Sequence, residues 1–400
     1  MSEITGIVCE YNPFHRGHEY QINLVREMGY AVVCVMSGNF VQRAQTAIAD
    51  KYLRAKCAVE CGADLVLELP VSHATASAER FAYGGVSILN RLFPQASLTF
   101  SSECGDADLL AEAASNLASP IFEERLSARL VSRAAPYPIA RQEVYEELFG
   151  KCDLLSEPND ILAIQYLTAI KRLNSNIKPN VIKRVGSSYK DTTVPDSTIF
   201  ASATAIRKLI SEGELDRARF YMPSKVYNIL EDSYALKYIP SMTYIATAIL
   251  LKLQQMSRDN LLSAPDVNEE LADRIIKASR RCVDLSGLHD AVATRMYTSA
   301  RIRRCILTAF LGITAEDVNT PPQYTVLLAA SRRGCELLGH IRKTAELPII
   351  TKPSDTDKLP QSALGAYAKN MWADTVYGMA SPTRRSADYF IKCKPYIKKD

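Results

Sequence analysis

Four short β-rich runs, at residues 4–10, 31–36, 64–69 and 97–100, alternate with three segments of helical length across the first hundred residues. The segments between them, 19–28, 49–61 and 77–92, carry apolar residues at helical spacing. Strands separated by single helices must cross over to pair, and such crossovers run parallel with helices on both faces. The alternation therefore predicts an α/β fold built on a doubly wound, Rossmann-like parallel sheet. Ligands of such sheets lie beyond the carboxyl ends of the strands. Chemistry is expected just after Glu10, Met36, Leu69 and Phe100.

The first of these positions carries the strongest signal. Residues 6–18 read Gly-Ile-Val-Cys-Glu-Tyr-Asn-Pro-Phe-His-Arg-Gly-His, a strand that passes through a proline turn into His15-x-Gly17-His18 at a helix start. Histidines three apart there share a face, Gly17 lets a nucleotide approach the backbone, and the helix amino end adds partial positive charge. Imidazoles so placed can donate to the oxygens of an α-phosphorus under attack without any protein nucleophile. A pair of capping or packed histidines is the alternative. No metal centre is expected, since no third ligand accompanies the pair and His73, His289 and His340 are scattered. A second anion feature is Ala-Ser-Ala-Thr-Ala-Ile-Arg at 201–207, where small hydroxyl residues can cap a helix and leave backbone N–H groups for an anion.

Residues 106–173 read as mostly helical, broken at Pro120, Pro136-Tyr137-Pro138 and Pro158, and a further strand is expected over 180–185. Beyond Pro223 no strand is predicted, and 242–256, 267–279, 288–297, 300–311 and 323–330 all read as helices. The 400 residues suggest a division into a catalytic α/β domain, 1–223, and a basic, mainly α-helical domain, 224–400. Net charge points the same way. Residues 1–200 hold 19 Lys/Arg against 23 Asp/Glu, whereas 201–400 hold 29 against 21, so a total of +4 conceals halves of −4 and +8. Clustered cations gain affinity for a polyanion by releasing its counterions, and an uneven solvated surface is the alternative. The ten cysteines form no zinc or disulfide framework, and neither a signal peptide nor a membrane-spanning run is present. A cytoplasmic location with reduced thiols and no membrane contact is expected.

The strand-turn-His-x-Gly-His unit and the 201–207 segment together resemble the HxGH nucleotidyltransferases of the HUP/Rossmann-like class, relatives of class I aminoacyl-tRNA synthetases. Further segments extend the likeness: Val35-Met36-Ser37-Gly38-Asn39-Phe40-Val41-Gln42-Arg43, Gly62-Ala63-Asp64-Leu65-Val66-Leu67-Glu68-Leu69-Pro70, Pro158-Asn159-Asp160-Ile161-Leu162 and Tyr297-Thr298-x-Ala300-Arg301. With residues 6–18 they are similar to the bacterial tRNA(Met) cytidine acetate ligase family. That resemblance implies an ATP-dependent ligase, with Mg²⁺ accompanying the triphosphate, that activates acetate as acetyl-adenylate. The acetyl group then passes to the exocyclic N4 of the wobble cytidine of elongator tRNA(Met). It also implies an ATP site made of Val8, Cys9, Glu10, Tyr11, Asn12, Pro13, Phe14, His15, Arg16, Gly17, His18, Glu19, Tyr20 and Gln21, with Ser101, Asn159 and Arg184 as further contacts. Thr204 and Arg207 are assigned to the β- and γ-phosphates, and Arg207 joins His15 and His18 as catalytic. A helix cap at Asn159 and a surface charge at Arg184 stay open as alternatives.

Two stretches depart from the family pattern. Ser101 stands where the family carries glycine, and Gln42-Arg43-Ala44-Gln45-Thr46 replaces Gln-Arg-Gly-Glu-Pro, so this loop is expected to differ in shape. For RNA the candidates are Arg295, Tyr297, Arg301 and Arg304, because positions 297, 301 and 304 share a helical face that could stack a base and meet phosphates. Arg303, Arg332, Arg333 and the tail 392–399 add cations; a solvated basic helix is the alternative. Phe14, Phe40 and Leu69 could surround the acetate methyl or serve as core. Two other functions remain open: a small-metabolite nucleotidylyltransferase, and a non-catalytic RNA-binding protein on the same fold.

Overall fold

A computed structural model describes residues 3–132, 135–184, 199–342 and 345–399. Ten strands occur in these segments: β1 Ile4–Cys9, β2 Ala31–Ser37, β3 Phe40–Val41, β4 Gln45–Thr46, β5 Leu65–Leu69, β6 Ser97–Ser102, β7 Lys178–Lys183, β8 Thr325–Ala330, β9 Ile349–Ile350 and β10 Tyr396–Ile397. Strands β3 and β4 form a small antiparallel hairpin, and the others build one sheet in the order β10-β8-β5-β2-β1-β6-β7, with β9 beside β8. The five strands β5-β2-β1-β6-β7 are parallel. The direction of winding reverses between β1 and β6, so the crevice expected for a ligand opens beyond Cys9 and Ser102.

The strand sequences explain this layering. Every residue of β2 is buried, with Val33 and Val35 in one core and Val32, Cys34 and Met36 in the other. Alternation at period two sends these side chains to opposite faces, each covered by helices. The helices Arg16–Glu27 and Lys51–Glu60 cover one face, and Ala78–Leu92 and Pro158–Arg172 the other. The four early strands and three early helices thus follow the sequence expectation. In the 180–185 strand, Val185 lies outside the described residues.

The later half needs a correction. Residues 325–330, expected to be helical, form β8, which runs antiparallel to β5, and β9 and β10 then pair with β8. Thr-Val-Leu-Leu-Ala-Ala is a short, continuous apolar run, and periodicity alone cannot separate a buried strand from a buried helical turn. Chain beyond residue 223 therefore also completes the main sheet. The helices Ala246–Gln255, Glu269–Ser279, Leu285–Val292 and Ser299–Leu311 do form a separate core around Ile249, Ile275, Leu288 and Ile302. That core also takes Phe40 and Ala44 from the β3–β4 hairpin, which packs the helical region against the carboxyl edge of the sheet. No helix among the described residues is long and apolar enough to cross a membrane.

Candidate active site

His15 occupies the N-cap of the helix Arg16–Glu27. The Gly17 N–H donates to His15 Nδ1 at 3.1 Å, and the His15 N–H donates to His18 Nδ1 at 3.2 Å. The rings stack with centroids 3.6 Å apart, and Tyr11 and Phe14 pack on His18 at 4.8 and 5.5 Å. Capping and function are here the same geometry, because a ring whose Nδ1 accepts carries its proton on Nε2. A Cβ on Gly17 would meet the His15 ring at 3.0 Å, so the glycine makes room for the imidazole itself. Burial, with Arg184 and Arg207 nearby, holds His15 down to about 3; burial, His15 and Arg184 depress His18 well below its ordinary value. Both are neutral donors at physiological pH.

This neutrality has a stability consequence. Unfolded imidazoles titrate near 6.5, so below that pH the unfolded chain binds protons that folded His15 refuses until about 3. Buried His73, held to about 4, acts with the same sign. Stability should be full above pH 6.5 and fall by up to about 1.4 kcal/mol per pH unit per imidazole on acidification. Urea unfolding between pH 7.5 and 5 measures this, and a flat profile would contradict neutral burial.

The cleft brings together Val8, Cys9, Glu10, Tyr11, Asn12, His15, His18 and Gln21 with Ser101, Asn159 and Arg184. Gly17 and Tyr20 line an adjoining groove beside Arg184. Pro13, Phe14, Arg16 and Glu19 line neither: Phe14 is buried under His18, and Arg16 Nε donates to the Phe220 carbonyl at 2.8 Å. Arg184 Nε is buried with no hydrogen-bond partner among the described residues, as suits a guanidinium awaiting an anion. Asn159 is not the helix cap. The helix begins at Pro158, and Asn159 Nδ2 donates to the Glu103 carboxylate, whose other oxygen accepts the Asp160 N–H at 3.0 Å. Phe100 and Leu162, from segments singled out in the sequence, also line the cleft, as do Thr99 and Tyr166, which no local pattern marked.

The two family departures sit differently. Ser101 lies in extended β6, paired with Ile182, so a side chain there costs no backbone strain. Ala44 has φ 56°, the left-handed region that glycine enters freely, and its N–H closes the hairpin on the Val41 carbonyl at 2.8 Å. Behind the cleft, the buried Arg54 guanidinium donates to the carbonyls of Glu10, Ser37, Gly38 and Ala49, tying the loops after β1 and β2 together.

Ser202 caps the helix Ala203–Ser211 by accepting the Ala205 N–H at 3.1 Å. Arg207 donates to the Asn12 carbonyl at 2.6 Å and to Thr204 Oγ1 at 3.0 Å. Ala203 faces the cleft, whereas Thr204 and Arg207 face a second, larger cavity behind the shared wall. Phe14, Phe40 and Leu69 fall in three different cores, so they form no common acetate pocket.

The RNA candidates are dispersed. Arg295 is exposed, but Tyr297 is 6% exposed, donates its hydroxyl to Asn268 and lies under Arg301. It precedes the helix instead of presenting a face for stacking, which overturns that expectation. Arg301 donates to the Asp266 carbonyl at 2.7 Å, and Arg304 pairs with the Asp266 carboxylate at 3.4 Å. Arg333 contacts the Tyr30 and Gly29 carbonyls, and Lys398 pairs with Glu60, at the amino ends of the strands and away from the cleft.

Comparison with known proteins extends this picture. The family model described as HIGH Nucleotidyl Transferase matches residues 2–389. The tRNA(Met) cytidine acetate ligase of Clostridium perfringens (strain SM101 / Type A) is 34% identical over 407 residues, covering 97% of this chain and 98% of that protein. The protein of the same name from Thermoanaerobacter sp. (strain X514) is 36% identical over 386 residues, covering 94% and 95%. The crystal structure of Thermotoga maritima TmcAL (apo, form I) matches with TM-score 0.91 and 30% identity over the whole of both chains. The form of that protein bound with alpha-thio ATP matches at 0.89 and 29% identity, again over both whole chains.

Proposed function

This chain belongs to the tRNA(Met) cytidine acetate ligases of the HIGH nucleotidyl transferase family, and from that membership we propose that it is an ATP-dependent ligase acetylating the wobble cytidine of elongator tRNA(Met). ATP lies along the cleft at the carboxyl ends of β1 and β6. A carboxylate oxygen of acetate attacks the α-phosphorus, pyrophosphate leaves, and acetyl-adenylate remains. The reading is carried by the reciprocal His15–His18 cap, which leaves two neutral Nε2–H donors for the phosphoryl oxygens as charge builds on them. Arg184 adds a fixed cation beside them, and the triphosphate tail reaches past the shared wall toward the larger cavity, where Thr204 and Arg207 receive the β- and γ-phosphates.

In the second half-reaction the cytidine amine nitrogen bonds to the acetyl carbon as the bond from that carbon to the AMP oxygen breaks. The amine proton passes to Glu10. Glu10 is the one carboxylate among the described residues lining the cleft or the larger cavity beside it, and its Oε1 accepts the Gln42 N–H at 2.7 Å. Burial raises its pKa against the pull of Arg207, Arg54 and Arg43, making it a stronger base than a solvated carboxylate. Glu10→Gln is expected to slow single-turnover acetyl transfer by roughly 10²-fold or more. Acetate-dependent pyrophosphate exchange should fall much less, and equal losses would reduce Glu10 to a nucleotide contact.

The described residues gather no group of three metal-ligating side chains. Mg²⁺ therefore enters this reading as a companion of the triphosphate, with no step of its own on this chain's residues. Residues 1–223 supply the nucleotide site, and the basic chain beyond, with Arg295, Arg301 and Arg304 among its cations, meets RNA. The reaction is assigned to the cytoplasm, where ATP and tRNA coexist. Incubation with ATP, labelled acetate and a tRNA pool tests the whole: label is expected in tRNA with stoichiometric AMP. Adenylation of a small metabolite, or RNA binding without AMP release, would sink it.

A further inference from the structure

A separate cavity of about 240 Å³ shares no lining residue with the ATP cleft. Asp50 and Arg385 line it, together with Tyr234, Tyr238, Tyr377 and Thr383. Asp50 is 7% exposed and caps the helix Lys51–Glu60. Its Oδ1 accepts the Tyr52 and Leu53 N–H groups at 3.0 Å, and its Oδ2 stands 3.6 Å from Arg385 Nη1. The Arg385 guanidinium lies over the Tyr389 ring, 4.1 Å from the centroid, and none of its nitrogens is hydrogen-bonded among the described residues. Asp50 therefore balances its charge while leaving its donors unmet. Such a pair does not call for an anion; it lacks a neutral acceptor.

Aromatic rings stand at the mouth. Tyr234 and Tyr238 are 62% and 38% exposed with centroids 6.4 Å apart, and Lys237 Nζ lies 5.4 Å from the Tyr238 centroid. Exposed tyrosines offer a planar ligand a flat apolar face. The backbone adds an independent observation. Tyr234, at φ 56°, and Arg384, at φ 33° between Thr383 and Arg385, hold left-handed conformations that favour glycine. Strain of this kind gathers at binding sites, and Tyr11, at φ 47°, shows it in the ATP cleft. The cavity is also joined to the reacting centre. Tyr377 donates its hydroxyl to the Ala47 carbonyl at 3.1 Å, and the Ile48 N–H donates to Asn12 Oδ1 at 2.8 Å. Residues 47–50 thus run from the catalytic turn to Asp50.

We propose that this cavity receives a second base of the acceptor RNA, one that is not acetylated. The base stacks on Tyr234 and Tyr238, and its ring carbonyl or ring nitrogen accepts from Arg385. A neutral ring suits a site whose cation is already balanced by Asp50, and the volume is below that of pockets for whole drug-sized ligands. The phosphates stay outside, beside exposed Lys237 and Arg384. Splayed bases on aromatic and guanidinium planes are how single-stranded RNA is held. The assignment rests on the ligase reading above, which requires an RNA that presents one cytidine to the cleft. A free mononucleotide is the competing source of the same ring.

The double variant Tyr234→Ala/Tyr238→Ala tests the assignment. We expect tRNA affinity to fall at least tenfold with an unchanged salt slope, because stacking releases no counterions, and the KM for ATP in acetate-dependent pyrophosphate exchange to stay within about twofold. Tyr234→Phe/Tyr238→Phe keeps the stacking faces and should hold affinity within about threefold of the parental value. Unchanged tRNA affinity in the alanine variant, or a loss that phenylalanine does not restore, would overturn the proposal. Thr383 is exposed on the cavity lining, so Thr383→Trp obstructs the space without entering the core. It should weaken tRNA binding comparably, and parental affinity would again overturn the proposal. Equilibrium binding of AMP, GMP, CMP and UMP separates the two sources: binding lost in the alanine variant while tRNA affinity is intact would hand the cavity to a free nucleotide. If the unaltered protein shows no acetate-dependent exchange, the ligase reading fails, and the tRNA-affinity measurements still decide whether the cavity takes an RNA base.

Discussion

Replacing His18 by alanine is expected to slow acetate-dependent AMP formation by roughly 10²- to 10³-fold at saturating ATP, the usual cost of removing one oriented donor from a developing oxyanion. The ring is held by three independent constraints: its Nδ1 accepts the His15 N–H, His15 stacks on it, and Tyr11 and Phe14 pack at its edges. Alanine removes the Nε2 donor and also leaves the His15 N–H without its acceptor, so part of the loss comes from a looser His15. His18→Asn, which can restore the local cap but cannot place a donor at Nε2, should recover stability without recovering rate. Acetate-dependent AMP formation at the parental rate in His18→Ala would show that the imidazole pair is structural only.

The second large effect concerns stability. Lys51 is 2% exposed, and its Nζ sits 2.8 Å from both Glu68 carboxylate oxygens and 2.6 Å from Asp374 Oδ2; Asn39 Nδ2 donates to Asp374 Oδ1 at 2.8 Å. One cation thus faces two buried carboxylates, and burial lifts Asp374 to about 6 despite the attraction of Lys51. A carboxyl raised in the folded state costs stability as pH rises from about 4 through about 6, because the unfolded chain then ionises more readily. Removing the cation enlarges that penalty. Lys51→Met should cost about 3–5 kcal/mol near pH 8 and clearly less near pH 5, where the orphaned carboxyls can take up protons. Urea unfolding at the two pH values measures the difference; a loss below about 1 kcal/mol, or one independent of pH, would mean that the carboxyls are already neutral.

The same cluster shows what was hidden from sequence reading. Lys51 and Glu68 sit in ordinary helix and strand positions, and their partner Asp374 is more than 300 residues away on the helix Gln361–Met379. Nothing at spacing two or 3.6 announces such a contact. Strand β8 is a milder case: its composition allowed a strand, but the partners for its backbone groups, the edge of β5 together with β9 and β10, come from parts of the chain distant in sequence or from its own later residues. The tyrosine at 297 failed for a related reason, since the helix starts at Ser299 and folding turned the ring inward against Asn268 and Arg301.

The sequence by itself determined the βα alternation, the parallel sheet, and the strand-to-helix turn that presents His15 and His18. Those features are legible because local periodicity and a glycine-containing turn constrain backbone within a dozen residues; the switch point between β1 and β6 needed the strand order, which the folded sheet supplies. Tertiary structure alone decided which cations stand together. Of the arginines near residue 300, Arg301 and Arg304 turn toward Asp266, while Arg303 turns toward Arg43 and the larger cavity beside the cleft. One helix carries them all, so its rotation about its own axis assigns their roles, and that rotation is set by burying Ile302, Cys305 and Ile306 in the helical core.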